Sequence, residues 1–197
     1  MKHFIATALA TVVLFLTAVL IREIPAQQPA GTDESQIKQG LAIAPVPLDL
    51  RGKNRALVGL GSYLVNTVGD CSSCHTRPHY ELEHNPFKGQ PEGINTQNYL
   101  TDGNQFRPFT SANLTPDSVT GLPAGLTLDE FVKLIRTGET DDHPQFGPLL
   151  QVMPWPSFRK MTDRDLLAIY EYLRAIPSRP DNPTPGPCCP DDPISEP

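Results

Sequence analysis

Apolar residues recur at helical spacing in three stretches of the chain, and no stretch shows the sustained two-residue alternation of a half-buried strand. The first, from about Asn54 to Val68, sets Leu57, Leu60, Gly61, Leu64, Val65 and Val68 on one stripe. Gly69 and Asp70 then stop it. The second, Thr127 to Thr137, carries Phe131, Leu134 and Ile135 on one face. Thr127 and Glu130 stand at the spacing of a capping box, and Gly138 lies just past its end. The third starts at Thr162 with Asp165 three residues on, lines up Leu166, Ile169, Tyr170 and Leu173, and ends before Pro177. The pattern predicts an all-α domain.

Between and around these helices the chain is differently made. From His75 to Phe109 it is Pro, Gly, Asn, Gln and His without a period, a long ordered loop. Residues 27–52 are polar and broken by Pro29, Pro45 and Pro47, which reads as a linker with neither helix nor strand periodicity. From Pro177 onward eight prolines fall in twenty-one residues, so residues 178–197 form a Pro-rich tail, extended or wrapped on the surface. Eighteen uncharged, mostly apolar residues from Phe4 to Ile21 follow Lys2 and precede Arg22. Secretory h-regions take about 7–15 residues and spanning helices about 18 or more, so residues 1–26 fit either a signal peptide or an uncleaved membrane anchor. Either destination puts residues 53–177, one domain with a single core, outside the cytoplasmic membrane: periplasmic and soluble, or anchored to its outer face. The net charge of −6 offers no basic patch for nucleic acid and favours partners with a positive docking face.

The candidate chemistry sits at the end of the first helix, in Cys71-Ser72-Ser73-Cys74-His75. A C-x-x-C-H run is the attachment site of a c-type haem: two thiols add to the two vinyl groups of one porphyrin, and the adjacent imidazole reaches the iron as proximal ligand. Competing uses of a C-x-x-C pair fit less well. A redox dithiol needs a strand-helix-strand frame, and a structural zinc needs a second ligand pair, whereas Cys188 and Cys189 are vicinal and lie in the Pro-rich tail. One such motif implies one covalent haem c.

An iron held by one imidazole leaves a sixth position for Met or His. Met153 is the candidate, because the prolines of Gln151-Val152-Met153-Pro154-Trp155-Pro156 fix the backbone around it. Met161 abuts the cap of the third helix and reads as packing. His79, His84 and His143 are rivals, with surface roles the simpler account of each. Tyr63, Phe109 and Trp155 are candidate walls of a dry crevice or plain core.

The order helix, C-x-x-C-H, loops, Met153-Pro154-Trp155 and the terminal helix Thr162–Leu173 resembles a class I cytochrome c domain. Thr110-Ser111-Ala112-Asn113-Leu114-Thr115-Pro116-Asp117, Thr120-Gly121 and Arg136-Thr137-Gly138 narrow the resemblance to haem domains of bacterial dehydrogenase-associated cytochrome c subunits, across about residues 54–177. The resemblance implies a helical fold around one covalently bound haem, with the terminal helices crossing, His75 proximal and Met153 distal. It places Gly61 against Tyr170 or Leu173. It also implies a monohaem electron carrier of a periplasmic or membrane-bound respiratory chain, not an enzyme in its own right. Such a carrier would take single electrons from a dehydrogenase or quinol-oxidising complex and pass them to another cytochrome or an oxidase, or serve as the cytochrome subunit of a dehydrogenase complex. Subunits of that kind often carry several C-x-x-C-H motifs, and this chain has one. The alternative from another class is a haem protein whose open or labile sixth site binds a small ligand or peroxide.

Overall fold

The computed structural model describes residues 31–140, 145 and 147–188; the apolar segment 4–21, His143 and Cys189 lie outside the described residues. Helix α1 spans Gly31–Ile43. Helix α2, Arg55–Tyr63, opens at Asn54, whose side-chain oxygen accepts from the backbone N–H groups of Ala56 and Leu57, and it runs on as a π-helical turn, Leu64–Val68. After Asp70, whose φ of 42° is left-handed, Cys71–His75 forms its own short helix, α3. Helix α4 is Leu128–Thr137, α5 is the single turn Trp155–Phe158, and α6 is Asp163–Leu173. Both predicted capping boxes are formed, Thr127 with Glu130 and Thr162 with Asp165.

The cores of α2 and α6 cross at a glycine. A Cβ on Gly61 would lie 1.9 Å from Ala168 O and 2.7 Å from Tyr172 Cβ. Close approach is therefore what Gly61 provides, but toward Ala168 and Tyr172 and not Tyr170 or Leu173 as the sequence suggests. Around this crossing Val58, Val65, Phe131, Ile135, Leu166, Tyr170, Tyr172 and Leu173 bury with Tyr99 and Leu100 in one cluster.

Two sequence expectations need correction. Residues 27–52 contain a helix: α1 lies against α2, with Gly40 facing Gly59 so closely that a Cβ would meet its carbonyl oxygen at 1.9 Å, and Ile37 packs beside Leu60, Leu64 and Ala168. Contact through glycines leaves no apolar stripe to read. With α1 on its far side, α2 buries Val58 as fully as its predicted stripe, while Val68 stands 57 % exposed. The all-α expectation also fails in part. Strands β1 (Asn104–Phe106), β2 (Phe109–Thr110) and β3 (Gly186–Pro187) make a small sheet ordered β2-β1-β3, antiparallel on one side and parallel on the other. Pieces of two or three residues are too short for alternation to show. The Pro-rich tail accordingly does not hang free up to Cys188, whose N–H donates to Gln105 O at 2.9 Å.

Candidate haem-attachment site

Helix α3 places Cys71 and Cys74 three residues apart, on one face of a helical turn, with His75 next to them. His75 Nδ1 lies 2.7 Å from Ala112 O. A carbonyl can only accept, so Nδ1 carries the proton and Nε2 keeps a bare lone pair, the form of imidazole that ligates a metal. Burial pulls the His75 pKa below its ordinary value, with the bond to Ala112 opposing it, so the ring is neutral. Cys71 is pushed up to about 12, first by burial and then by the nearby Asp70 and Cys74 charges. Its thiol stays protonated, whereas a reactive dithiol or a zinc thiolate needs the opposite shift. Neither Cys71 nor Cys74 is in a disulfide. Among the described residues no three His, Cys, Asp or Glu side chains converge to hold a metal ion.

What holds α3 comes from distant parts of the chain. Asn104, at the head of β1, aims its side-chain amide at three carbonyls of the motif, Ser73 O at 3.3 Å, Cys74 O at 3.0 Å and Thr76 O at 3.1 Å. Asp102 N–H donates to His75 O at 2.9 Å, and Leu100 N–H to Thr76 Oγ1 at 3.0 Å. The tail adds Asn182, which donates to Arg77 O at 2.6 Å, while Asn113, beside Ala112, donates to Arg179 O at 3.0 Å. Sequence reasoning missed this cradle. The Asn, Asp and Thr density of residues 95–117 was its one visible trace. It also missed a buried polar chain between α2 and α6: Tyr99 donates to Asn66, whose amide donates to Tyr172 Oη at 3.2 Å and to Ser62 O at 2.9 Å. Burial raises both phenols, so Tyr99 and Tyr172 stand protonated close to the motif.

Met153 packs partly buried on the same apolar cluster as Cys71. Its segment is fixed to the end of α4: Leu150 N–H donates to Gly138 O at 2.8 Å, Trp155 Nε1–H to Leu150 O at 3.2 Å, and the Trp155 ring covers Gly138. Trp155 is thus a clamp on the methionine segment. Met161 also touches this cluster, held from the backbone by Arg136, which donates to Met161 O at 2.6 Å. Two of the rival histidines lie among the described residues, and each bonds a backbone carbonyl through Nδ1 as His75 does. His79 Nδ1 donates to Ser72 O at 2.9 Å, and His84 Nδ1 to Leu82 O. Tyr63 and Phe109 are half-buried, Phe109 within β2. No helix of the described residues is long and apolar enough to cross a membrane.

Among known proteins the chain is 32 % identical to the gluconate 2-dehydrogenase cytochrome c subunit of Pantoea cypripedii over 120 residues, 61 % of this chain and 23 % of that one. It is 30 % identical over 148 residues, 71 % of its length, to the cytochrome c subunit of the quinone-dependent alcohol dehydrogenase of Gluconobacter oxydans. The chain is a relative of the cytochrome c subunits of bacterial dehydrogenases. The corresponding alcohol dehydrogenase subunit of Gluconacetobacter polyoxogenes is 28 % identical over 123 residues. This cytochrome relative spans about a quarter of the length of these curated proteins, 25 %, 23 % and 27 %. No family model matches the chain, and no solved structure does.

Proposed function

We propose that the chain is a monohaem c-type cytochrome that passes single electrons between a dehydrogenase or quinol-oxidising complex and another cytochrome or an oxidase, in the periplasm or at the outer face of the cytoplasmic membrane. The observation that carries this reading is His75, placed beside two cysteines on one turn with its Nδ1–H committed to Ala112 and its Nε2 bare. The donor set fits a haem c: Cys71 and Cys74 to hold it, His75 as proximal and Met153 as distal ligand of the iron. Each S–H would add across one vinyl double bond, sulfur to one carbon and hydrogen to the other, a redox-neutral addition that needs no oxidant. A bound haem supplies reversible one-electron exchange between ferrous and ferric iron.

The chain's own groups then act on that exchange in three ways. The Ala112 carbonyl fixes the His75 tautomer and ring plane and raises the basicity of Nε2. Asn104, Asp102 and Thr76 hold the backbone of α3, so the imidazole cannot swing away. The apolar cluster shared by Cys71 and Met153 excludes water, and a thioether in a dry setting favours the ferrous state. Full-length protein expressed with a haem-attachment system tests the reading. Its band on denaturing electrophoresis should stain for haem after acid-acetone extraction, and Cys71→Ala/Cys74→Ala should lose the stain. A colour that extracts with acid-acetone refutes covalent attachment.

A further inference from the structure

Leu82 is 90 % and Phe87 89 % exposed, and both stand on one closed excursion of the chain between Tyr80 and Ile94, which pair as an antiparallel bridge. The excursion is internally braced. Glu81 N–H donates to Gly93 O, Gly93 N–H to His84 O, and Asn85 caps the 3-10 turn Pro86–Lys88 by accepting from Phe87 N–H at 2.9 Å. The Phe87 ring is tilted against Tyr80 at 6.3 Å. The loop base is tied to the haem-motif helix by His79, which donates to Ser72 O, and is braced from the other side by Asn95 donating to Pro78 O and Asn98 to Arg77 O. A leucine and a phenylalanine presented to water on a braced loop are unspent apolar surface, the chemistry of an interface anchor.

Resting on the electron-carrier reading above, we infer that the 80–94 loop is the docking tip for the redox partner, and that the partner offers an apolar recess rimmed by Lys and Arg. Charge decides among the possible occupants. Glu81, Glu83 and Glu92 are exposed on the same loop against one Lys88, within a chain of net charge −6. An anionic leaflet repels such a tip, and so does a second copy of the chain, whereas a basic protein surface attracts it and steers its approach. Because the loop base holds Ser72 of α3, a partner seated on the tip registers against the haem motif through the His79–Ser72 hydrogen bond.

The test measures the second-order rate at which quinol-reduced, washed membranes of the source organism reduce the purified, full-length haem protein. Leu82→Ser/Phe87→Ser should slow it about tenfold with an unchanged haem spectrum, since truncating an interface anchor weakens docking on that scale. Glu81→Gln/Glu83→Gln/Glu92→Gln should slow it severalfold and flatten its dependence on salt. With Phe87 replaced by p-benzoylphenylalanine, irradiation should yield an adduct on a Lys- and Arg-rich peptide of a membrane redox protein. Equal rates for wild type and the double variant overturn the inference while leaving the carrier reading in place. So do adducts confined to lipid or to a second copy. A wild-type protein that these membranes never reduce removes both.

Discussion

Replacing Gly61 by Ala sets two effects of opposite sign against each other. In the middle of α2 alanine gains about 0.5–1 kcal/mol of helix propensity over glycine. Against it, the added Cβ would sit 1.9 Å from Ala168 O, 2.5 Å from Ala168 C and 2.7 Å from Tyr172 Cβ. Ordinary carbon–oxygen contact begins at about 3.3 Å, so α2 and α6 must part by roughly an ångström. A gap of about 0.5–1 Å forfeits a quarter to a half of each dispersion contact along the seam. The seam includes Leu60, Val65, Leu166, Tyr172 and Leu173. Overpacking of this kind typically costs about 1–3 kcal/mol. Here the obstacle is helix backbone on both sides and cannot swing aside as a side chain would, so the cost belongs at the upper end. The net expectation is a loss of about 2–3 kcal/mol, a large share of the about 5–15 kcal/mol that holds a domain folded.

Guanidinium unfolding of the haem protein, followed by fluorescence of Trp155, the one tryptophan of the chain, reads this directly. Gly52→Ala is the comparison: at φ +67° with nothing within 4 Å of its Cβ, it should lose only about 1 kcal/mol, for backbone strain alone. A Gly61→Ala midpoint at or above wild type would show that propensity wins and that the helices are not in contact there.

Asn104→Ala removes the two amide hydrogens that serve the Ser73, Cys74 and Thr76 carbonyls and leaves buried acceptors short, so it should cost about 2–3 kcal/mol in the same assay while the haem stain persists. A shift below about 0.5 kcal/mol would mean water replaces the amide at no cost. Met153→Ala should abolish the sulfur-to-iron charge-transfer band of the oxidised protein and lower its potential, and Met161→Ala should keep the band and lose about 2–4 kcal/mol of packing. Exchanged behaviour would assign the iron to Met161, and an unchanged spectrum in both would point to a histidine.

The elements legible in the sequence are those whose causes lie within a turn or two of chain. Thr127 and Glu130, Thr162 and Asp165, and the i, i+3, i+4 spacing of Phe131, Leu134 and Ile135 announce α4 and α6 locally, and the motif Cys71–His75 is where the proposed haem chemistry is read from. What sequence pattern could not show has partners far off. Helix α1 buries through Gly40 on Gly59 and through Ser62 Oγ–H donating to Gly40 O, and the apolar residues facing it lie about twenty positions on. The cradle of α3 is more remote still: the amides of Asn104 and Asn182 address backbone carbonyls, and the carbonyl that takes His75 Nδ1–H belongs to the backbone of Ala112, so one side of every pair carries no side-chain signature.

That division bears on how the site works. On the proposed reading, the residues that would hold a haem are written contiguously because attachment chemistry demands two thiols and an imidazole at fixed spacing. Their stiffness is written elsewhere, in β1, the Ala112 turn and the tail paired through Gly186 to Gly103 O at 2.9 Å. If ligation at His75 depended on α3 alone, five residues of helix would have to hold a ring against thermal motion with a handful of local bonds, and isolated helices of that length do not persist in water. The sheet and tail therefore belong to the site as much as the cysteines do. The tail in particular, whose proline content reads only as extended or wrapped chain, joins the cradle through Asn182 and the pairing of Asn104 with Gly186.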